Sequence, residues 1–189
     1  MDMISGILKK ETVKYHDEIE QKLESNKLFE GAFNQNNYYK MLLVNHQFIQ
    51  GLEPEIKSLL SEEDLEFLNK INLNKLELLE KDLIELNLEI TQPEKNELLK
   101  NREEALGALY VIEGSMLGGM VIAKQLRKYP ELAQAGFNYF GHYGQDIGPI
   151  WKSFIAYLND HIITNDQQKN TLKGAIKAYQ FLINLADKY

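Results

Sequence analysis

The stretch Ala105–Leu126, ALGALYVIEGSMLGGMVIAKQL, decides how the rest of the chain is read. It is apolar or small at nearly every position, lacks proline, and is flanked by Arg102–Glu104 and Arg127-Lys128. That pattern predicts a helix running through a core. It nevertheless holds Gly107, Gly114, Gly118 and Gly119, and each glycine inside a helix costs about 1 kcal/mol against alanine. At about 100° per residue, Gly107, Gly114 and Gly118 fall within about 40° of one another, a stripe without side chains. Something lies almost against this backbone, or the helix bends there. One reading is close helix–helix packing through small residues. The other is a flat ligand resting on the glycines. The adjacent Gly118-Gly119 pair adds weight to the second, because a packed neighbour rarely needs glycine on two faces. Glu113 breaks the longest apolar run well short of the roughly 20 residues that a membrane span needs.

Working outward, the pattern is helical almost throughout. Ile4, Leu8, Thr12, Tyr15, Ile19 and Leu23 share one face of a first helix. His16 sits at the edge of that stripe with Glu20 one turn on, where residues four apart are neighbours. Taken alone, this is an exposed i,i+4 pair. It is also what a metal-binding imidazole needs, a carboxylate on one ring nitrogen that fixes the tautomer and frees the other. Leu28–Phe33 reads as a connector. Asn36 or Asn37 caps a helix from Tyr38 to about Gly51 that carries His46 as a packed or surface residue, and Pro54 opens a second short piece through Leu60. Ser61–Asp64 resembles a capping box, and Asn74 caps Lys75–Leu86, whose charges form a solvated face. Thr91-Gln-Pro93 reads as a helix start, and the glycine helix ends before Pro130.

Between Pro130 and Pro149 the chain turns aromatic and glycine-rich, with Phe137, Tyr139, Phe140, His142 and Tyr143, a loop or broken helix. Trp151, Phe154, Ile155 and Leu158 mark a further helix. Thr164 or Asn165 caps the last one, whose buried side is Leu172, Ile176, Tyr179, Leu182, Ile183 and Ala186. No strand alternation, repeat or low-complexity linker interrupts the pattern. The fold class is all-α, a multi-helix bundle of about seven to nine helices, with residues 1–189 as one domain.

The 28 acidic and 21 basic side chains give a formal charge of −7, which argues against nucleic acid as a partner. Zero cysteines exclude disulfides and thiolate chemistry. The N-terminus MDMISGILKKE lacks a signal-peptide run, so a soluble, cytoplasmic protein with no membrane partner is expected. A histidine-bearing helix set against a glycine stripe makes a slot with imidazole on one wall and bare backbone on the other. A planar macrocycle holding an iron fits it. Lys9, Lys10 and Lys14 stand near enough to pair with acidic groups on its rim, although such lysines are ordinary on a surface.

These residues resemble the heme oxygenase family, especially its bacterial, biliverdin-forming members. The resemblance rests on Leu8–His16 with Leu23, and above all on Leu109–Gly119, LYVIEGSMLGG. Weaker matches are Tyr143-Gly144 through Gly148, Trp151 to Phe154, and Phe181–Asn184. It implies a bundle of the heme oxygenase type with heme as both substrate and cofactor, opened oxidatively to biliverdin with release of iron and carbon monoxide. It also implies His16 as axial ligand of the iron and Glu20 as its partner. Gly114, Ser115 and Gly118 take the catalytic distal side, Tyr110 and Lys9 the propionates, and Phe181 and Asn184 the heme or its water network. Animal members carry aspartate where Ser115 stands, so the group that organises distal water differs here. O2 is the co-substrate. Electrons come from an external ferredoxin or reductase, because no Gly-x-Gly-x-x-Gly follows a strand and neither a flavin nor a nicotinamide site is apparent. A monomer or weak dimer is expected. The alternative is a non-catalytic heme- or tetrapyrrole-binding protein of the same fold. A di-iron oxidase would need Glu-x-x-His pairs, and no histidine here follows a glutamate by three. A thiaminase-like relative would use a cysteine, which the chain lacks.

Overall fold

A computed structural model describes residues 3–69, 74–90, 97–132 and 135–189. Among the described residues there are eight α-helices, two short 3-10 turns and no strand. The helices are α1 Ile4–Lys22, α2 Lys27–Glu30, α3 Gln35–Leu59, α4 Glu62–Asn69, α5 Lys75–Glu85, α6 Arg102–Leu126, α7 Ile147–His161 and α8 Asn165–Ala186. The fold class is the one expected.

The helix starts follow local chemistry. Asn34, rather than Asn36 or Asn37, caps α3: its side chain accepts from the N–H groups of Asn36 and Asn37, and the Asn37 side chain accepts from the Asn34 N–H at 3.0 Å. Ser61 and Asp64 form the expected reciprocal box at the head of α4, as Thr164 and Gln167 do for α8. Asn101 caps α6 by accepting from the Glu104 N–H at 2.9 Å. Asn74 occupies the cap position of α5 with no side-chain bond to the helix N–H groups; its side chain accepts from Lys57 Nζ at 3.3 Å instead. The start expected at Thr91–Pro93 lies outside the described residues. The predicted break in α3 is absent, and one helix runs through Gly51 and Pro54. The buried stripe Phe48, Ile49, Leu52 and Ile56 continues across the proline. That packing outweighs the roughly 3 kcal/mol that an interior proline costs. Pro149 likewise sits inside the first turn of α7, where a missing N–H is tolerated.

Helix α6 lies at the centre, with α8 as its most extensive neighbour, α1 against α8, and α3 and α7 completing the surround. It is the one described helix long and apolar enough to cross a membrane, but 56% of its apolar window is buried in this bundle. The α6–α8 crossing is tight. A Cβ on Gly107 would lie 1.9 Å from Thr171 O, and one on Gly174 would lie 2.0 Å from Glu104 O. The face of α8 turned to α6 is accordingly small: Thr171, Gly174, Ala175 and Ala178 are all buried, whereas Leu172 and Ile176, expected inside, are half-buried. Backbones that touch leave no room for leucine between them, so the large residues move to the flank.

The charges of α5 are not all a solvated face. Lys75 and Asp82 are buried. Asp82 accepts from the N–H groups of Asn138 (2.7 Å) and Tyr139 (2.9 Å), which ties the aromatic segment 137–143 to α5. Phe137 takes a positive φ of 50° to make that turn and packs on Tyr38 with ring centroids 5.5 Å apart. At the other end of the bundle Asp64 binds Arg102 through two bonds of 2.7 Å and accepts from Tyr157 Oη at 2.8 Å. Burial raises the Asp64 carboxyl, but Arg102, Ser61 and Tyr157 outweigh it and hold it at about 2.

Candidate functional site

A cavity of about 320 Å³ opens between α1, α2, α3, α6 and α8, at the lower end of the range for small-molecule sites. His16 and Glu20 stand on one wall, with Gly114, Ser115 and Gly118 on another. Between them the lining is mostly apolar: Ile19, Leu23, Leu28, Met41, Val111, Val121, Ile122, Phe140 and Leu182. Asn45 is a polar exception, and its amide donates to Met41 O at 2.8 Å. Tyr179 closes one side with its ring stacked on Tyr15. Within that lining Phe29 is 66% and Val121 41% exposed, apolar side chains left open to solvent as at a ligand site.

The glycines divide their work by position. Gly107 is filled by α8. A Cβ on Gly119 would meet Phe140 O at 2.6 Å, so this glycine admits the aromatic segment. Gly118 faces the cavity, where a Cβ would meet only Ile122 Cδ1 at 3.8 Å, and Gly114 has only the Trp151 ring, at 3.5 Å. Helix α6 is helical without interruption from Arg102 to Leu126. The close-packing reading holds at Gly107, while Gly118 leaves its place open toward the cavity.

His16 is at the cavity rim, with about half of its side chain exposed. Its Nε2 lies 3.8 Å from Glu20 Oε1 and its Nδ1 3.9 Å from Asp17 Oδ1. Glu20 was expected there; Asp17 was not, because adjacent residues on a helix diverge, and only the reach of the ring brings it close. Neither carboxylate is at hydrogen-bond distance. Either can orient the ring once the other nitrogen is engaged. Ser115 Oγ donates to Ile112 O at 2.7 Å.

The remaining expected site residues do not line the cavity. Lys9 is exposed on α1, Tyr110 packs on Trp151 with centroids 5.4 Å apart, Phe181 packs on Phe48, and Asn184 is exposed on α8. Lys14 lies over the Tyr15 ring and Lys10 pairs with Glu11. His46 is fully buried, and burial lowers its pKa against the pull of Glu80.

Sequence reasoning missed a buried ionic cluster behind α6. Lys75 Nζ contacts Glu113 Oε1, and both side chains are 2% exposed. Tyr143 Oη accepts from Lys75 at 3.0 Å and donates to Glu113 Oε2 at 3.1 Å. Burial drives the Glu113 carboxyl up, opposed by Lys75 and Tyr143, and burial with the Glu113 charge drives the Tyr143 hydroxyl up. The signal was available: a carboxylate alone in an apolar helix requires a cation nearby.

These residues fit a flat, largely apolar group with a metal at its centre. An imidazole stands on one wall, open glycine backbone on another, and apolar side chains lie between. Comparison with known proteins agrees. The heme oxygenase family profile matches residues 2–188. A heme oxygenase of Xanthomonas campestris pv. campestris (strain 8004) is 43% identical over 70 residues, and the match spans 36% of this chain and 41% of that relative. The NO- and CO-bound heme oxygenase from Neisseria meningitidis shares the fold, with a TM-score of 0.78 at 23% identity over 100% of this chain and 92% of that one. With a family match from nearly the first residue to nearly the last, this chain belongs to the heme oxygenase family.

Proposed function

We propose that the chain is an active heme oxygenase that opens heme to biliverdin, releasing iron and carbon monoxide. The observation that carries this is the open backbone of Gly118 in a cavity that His16 also lines. Heme, when bound, supplies the redox-active iron and the ring that is opened. His16 offers one ring nitrogen as the axial ligand, while Glu20 or Asp17 orients the ring through the other. On the facing wall the glycines would leave room for the macrocycle and a small co-substrate beside it, room that a side chain would fill. Ile19, Leu23, Val111 and Leu182 hold the flat face and exclude bulk water. Ser115 is the hydroxyl able to take and return a proton at Oγ on that wall.

Lys9, two turns before His16 on its own face of α1, and Tyr110, one turn before Gly114, are proposed to meet the propionates. Phe181 and Asn184, on either side of Leu182, are proposed to contact the heme's edge. The reading includes O2 as co-substrate, an external ferredoxin or reductase as electron donor, and no flavin or nicotinamide of the chain's own. It also includes one domain over 1–189 in a cytoplasmic monomer or weak dimer that engages neither nucleic acid nor membrane.

The test is optical. Hemin added to the protein should give a one-to-one complex with a histidine-type Soret band, and reductant with O2 should convert it to a bilin spectrum. His16→Ala should lose or strongly alter the Soret band, while alanine at His46, His142 or His161 should not. An unchanged spectrum in His16→Ala would overturn the ligand assignment. A stable complex that yields no bilin would leave a heme-binding protein and overturn the catalytic reading.

A further inference from the structure

The hydroxyl of Tyr139 is fully buried and has no hydrogen-bond partner. A buried hydroxyl left unpaired loses its hydration without compensation, so a native fold seldom keeps one without use. Three features bring it to the distal wall. Asp82 holds the Tyr139 N–H at 2.9 Å and the Asn138 N–H at 2.7 Å. Gly119 lets the Phe140 carbonyl come to within 2.6 Å of where a Cβ would stand. Ser115 and Gly119, four apart, share one face of α6, so the segment that Gly119 admits lies along the Ser115 face, and Phe140 itself lines the cavity. The Ser115 side chain is a hydrogen-bonding neighbour that acts on the Tyr139 hydroxyl, yet at the distances of this structure that hydroxyl is unpartnered, and Ser115 Oγ gives its proton to Ile112 O at 2.7 Å.

We infer that Tyr139 is a positioning residue for the distal side: its hydroxyl donates to Ser115 Oγ when the site is filled, and turns the Ser115 proton from Ile112 O toward the cavity. This rests on the heme oxygenase reading. The motion is one rotation about the Ser115 side-chain bond. It gives Tyr139 its missing partner and replaces a bond to a helix carbonyl by one into the site. A hydroxyl that accepts one hydrogen bond becomes a stronger donor in the next, so Ser115 backed by Tyr139 donates better than serine alone. Burial keeps the tyrosine neutral, and Glu113 and Glu53 add to that, so it serves as a fixed donor and never as a base. The charged groups around it are Glu113 from α6, Lys75 from α5, whose Nζ is held by Glu113 and Tyr143, and Glu53 from α3.

The test uses the full chain loaded with hemin. The readout is the pH at which the ferric complex passes from its acid to its alkaline spectrum. Tyr139→Phe should keep hemin affinity and the Soret position, and should move this pH upward by about half a unit or more, the effect of losing one hydrogen bond that favours the alkaline form. Ser115→Ala, a change at an exposed position, should move it the same way. The double variant should add nothing further, because the tyrosine acts through the serine. A transition unmoved in Tyr139→Phe, or additive shifts in the double variant, would overturn the inference. Should Tyr139→Phe fail to fold, the hydroxyl is structural and the inference falls, since removing an unpaired group ought to leave apo stability level or raise it. If the unaltered chain binds no hemin, the heme reading itself fails, an outcome visible before any variant is made.

Discussion

The two halves of α6 use the same residue for opposite ends. At Gly107 the missing side chain is filled by the backbone of α8, 1.9 Å from where a Cβ would stand, and Gly174 returns the favour against Glu104. At Gly118, three turns on, a Cβ would touch only Ile122 of its own helix. The first glycine is a packing device and the second keeps a cavity wall bare. The difference shows that a small-residue stripe reports close approach without reporting what approaches. One helix thus holds both a closely packed glycine and an open one.

The strongest way to break this comparison is at the crossing. Gly107→Ala and Gly174→Ala each set a methyl into backbone that cannot move aside, and each should lower unfolding free energy by about 3 kcal/mol or more, at or beyond the upper end for overpacked cores. Denaturant melts of the apo-protein would measure it, and a loss below about 1 kcal/mol would mean that α6 and α8 are not in contact there.

Next in size is the ion pair that fastens the head of α6. Asp64→Asn leaves Arg102 half-shielded and unpaired, and should cost about 3 kcal/mol. Its pH dependence has a definite sign. The folded carboxyl sits at about 2, below the ordinary 3.8. The contribution is therefore present above pH 4 and is lost as pH falls from 4 toward 2. Acid titration of stability should show that loss in the parent chain and a shallower one in Asp64→Asn. Identical curves would remove Asp64 from the account.

Gly119→Ala sharpens the comparison, because Gly119 is adjacent to Gly118 yet belongs with Gly107 in kind. Its methyl would push on Phe140 O, and apo stability should fall by about 1–3 kcal/mol. The smallest effect is expected at Gly118. Gly118→Ala should leave apo stability level or raise it by up to about 1 kcal/mol through helix propensity, while weakening hemin binding or abolishing bilin formation. Lower apo stability with normal bilin yield would move Gly118 into the packing class and erase the contrast.

Some of this was legible before any coordinates. The 3.6-residue period, the Ser61–Asp64 box and the cap at Thr164 are local signals, and they marked helices that the structure contains. The break expected at Pro54 was wrong because a continuous apolar stripe overrides a single backbone penalty, and stripe strength depends on what lies opposite. The site was legible in part. His16, Glu20, Gly114, Ser115 and Gly118 meet around one cavity, whereas Lys9, Tyr110, Phe181 and Asn184 stand away from it. Lys75, Glu113 and Tyr143 escaped notice because a lysine at the head of a charged helix looks solvated until its partner is known.

What the sequence determined by itself was the helical period, the starts of α4, α5 and α8, and the fact that α6 must be approached closely. Those depend on residues within a turn or two of each other. The tertiary structure decided which glycine receives α8, which receives Phe140 and which stays open, and whether Lys75 and Tyr139 are inside. Glycine has no side chain to encode its neighbour, and the neighbours come from segments far along the chain. Their placement is settled only when the whole core packs at once.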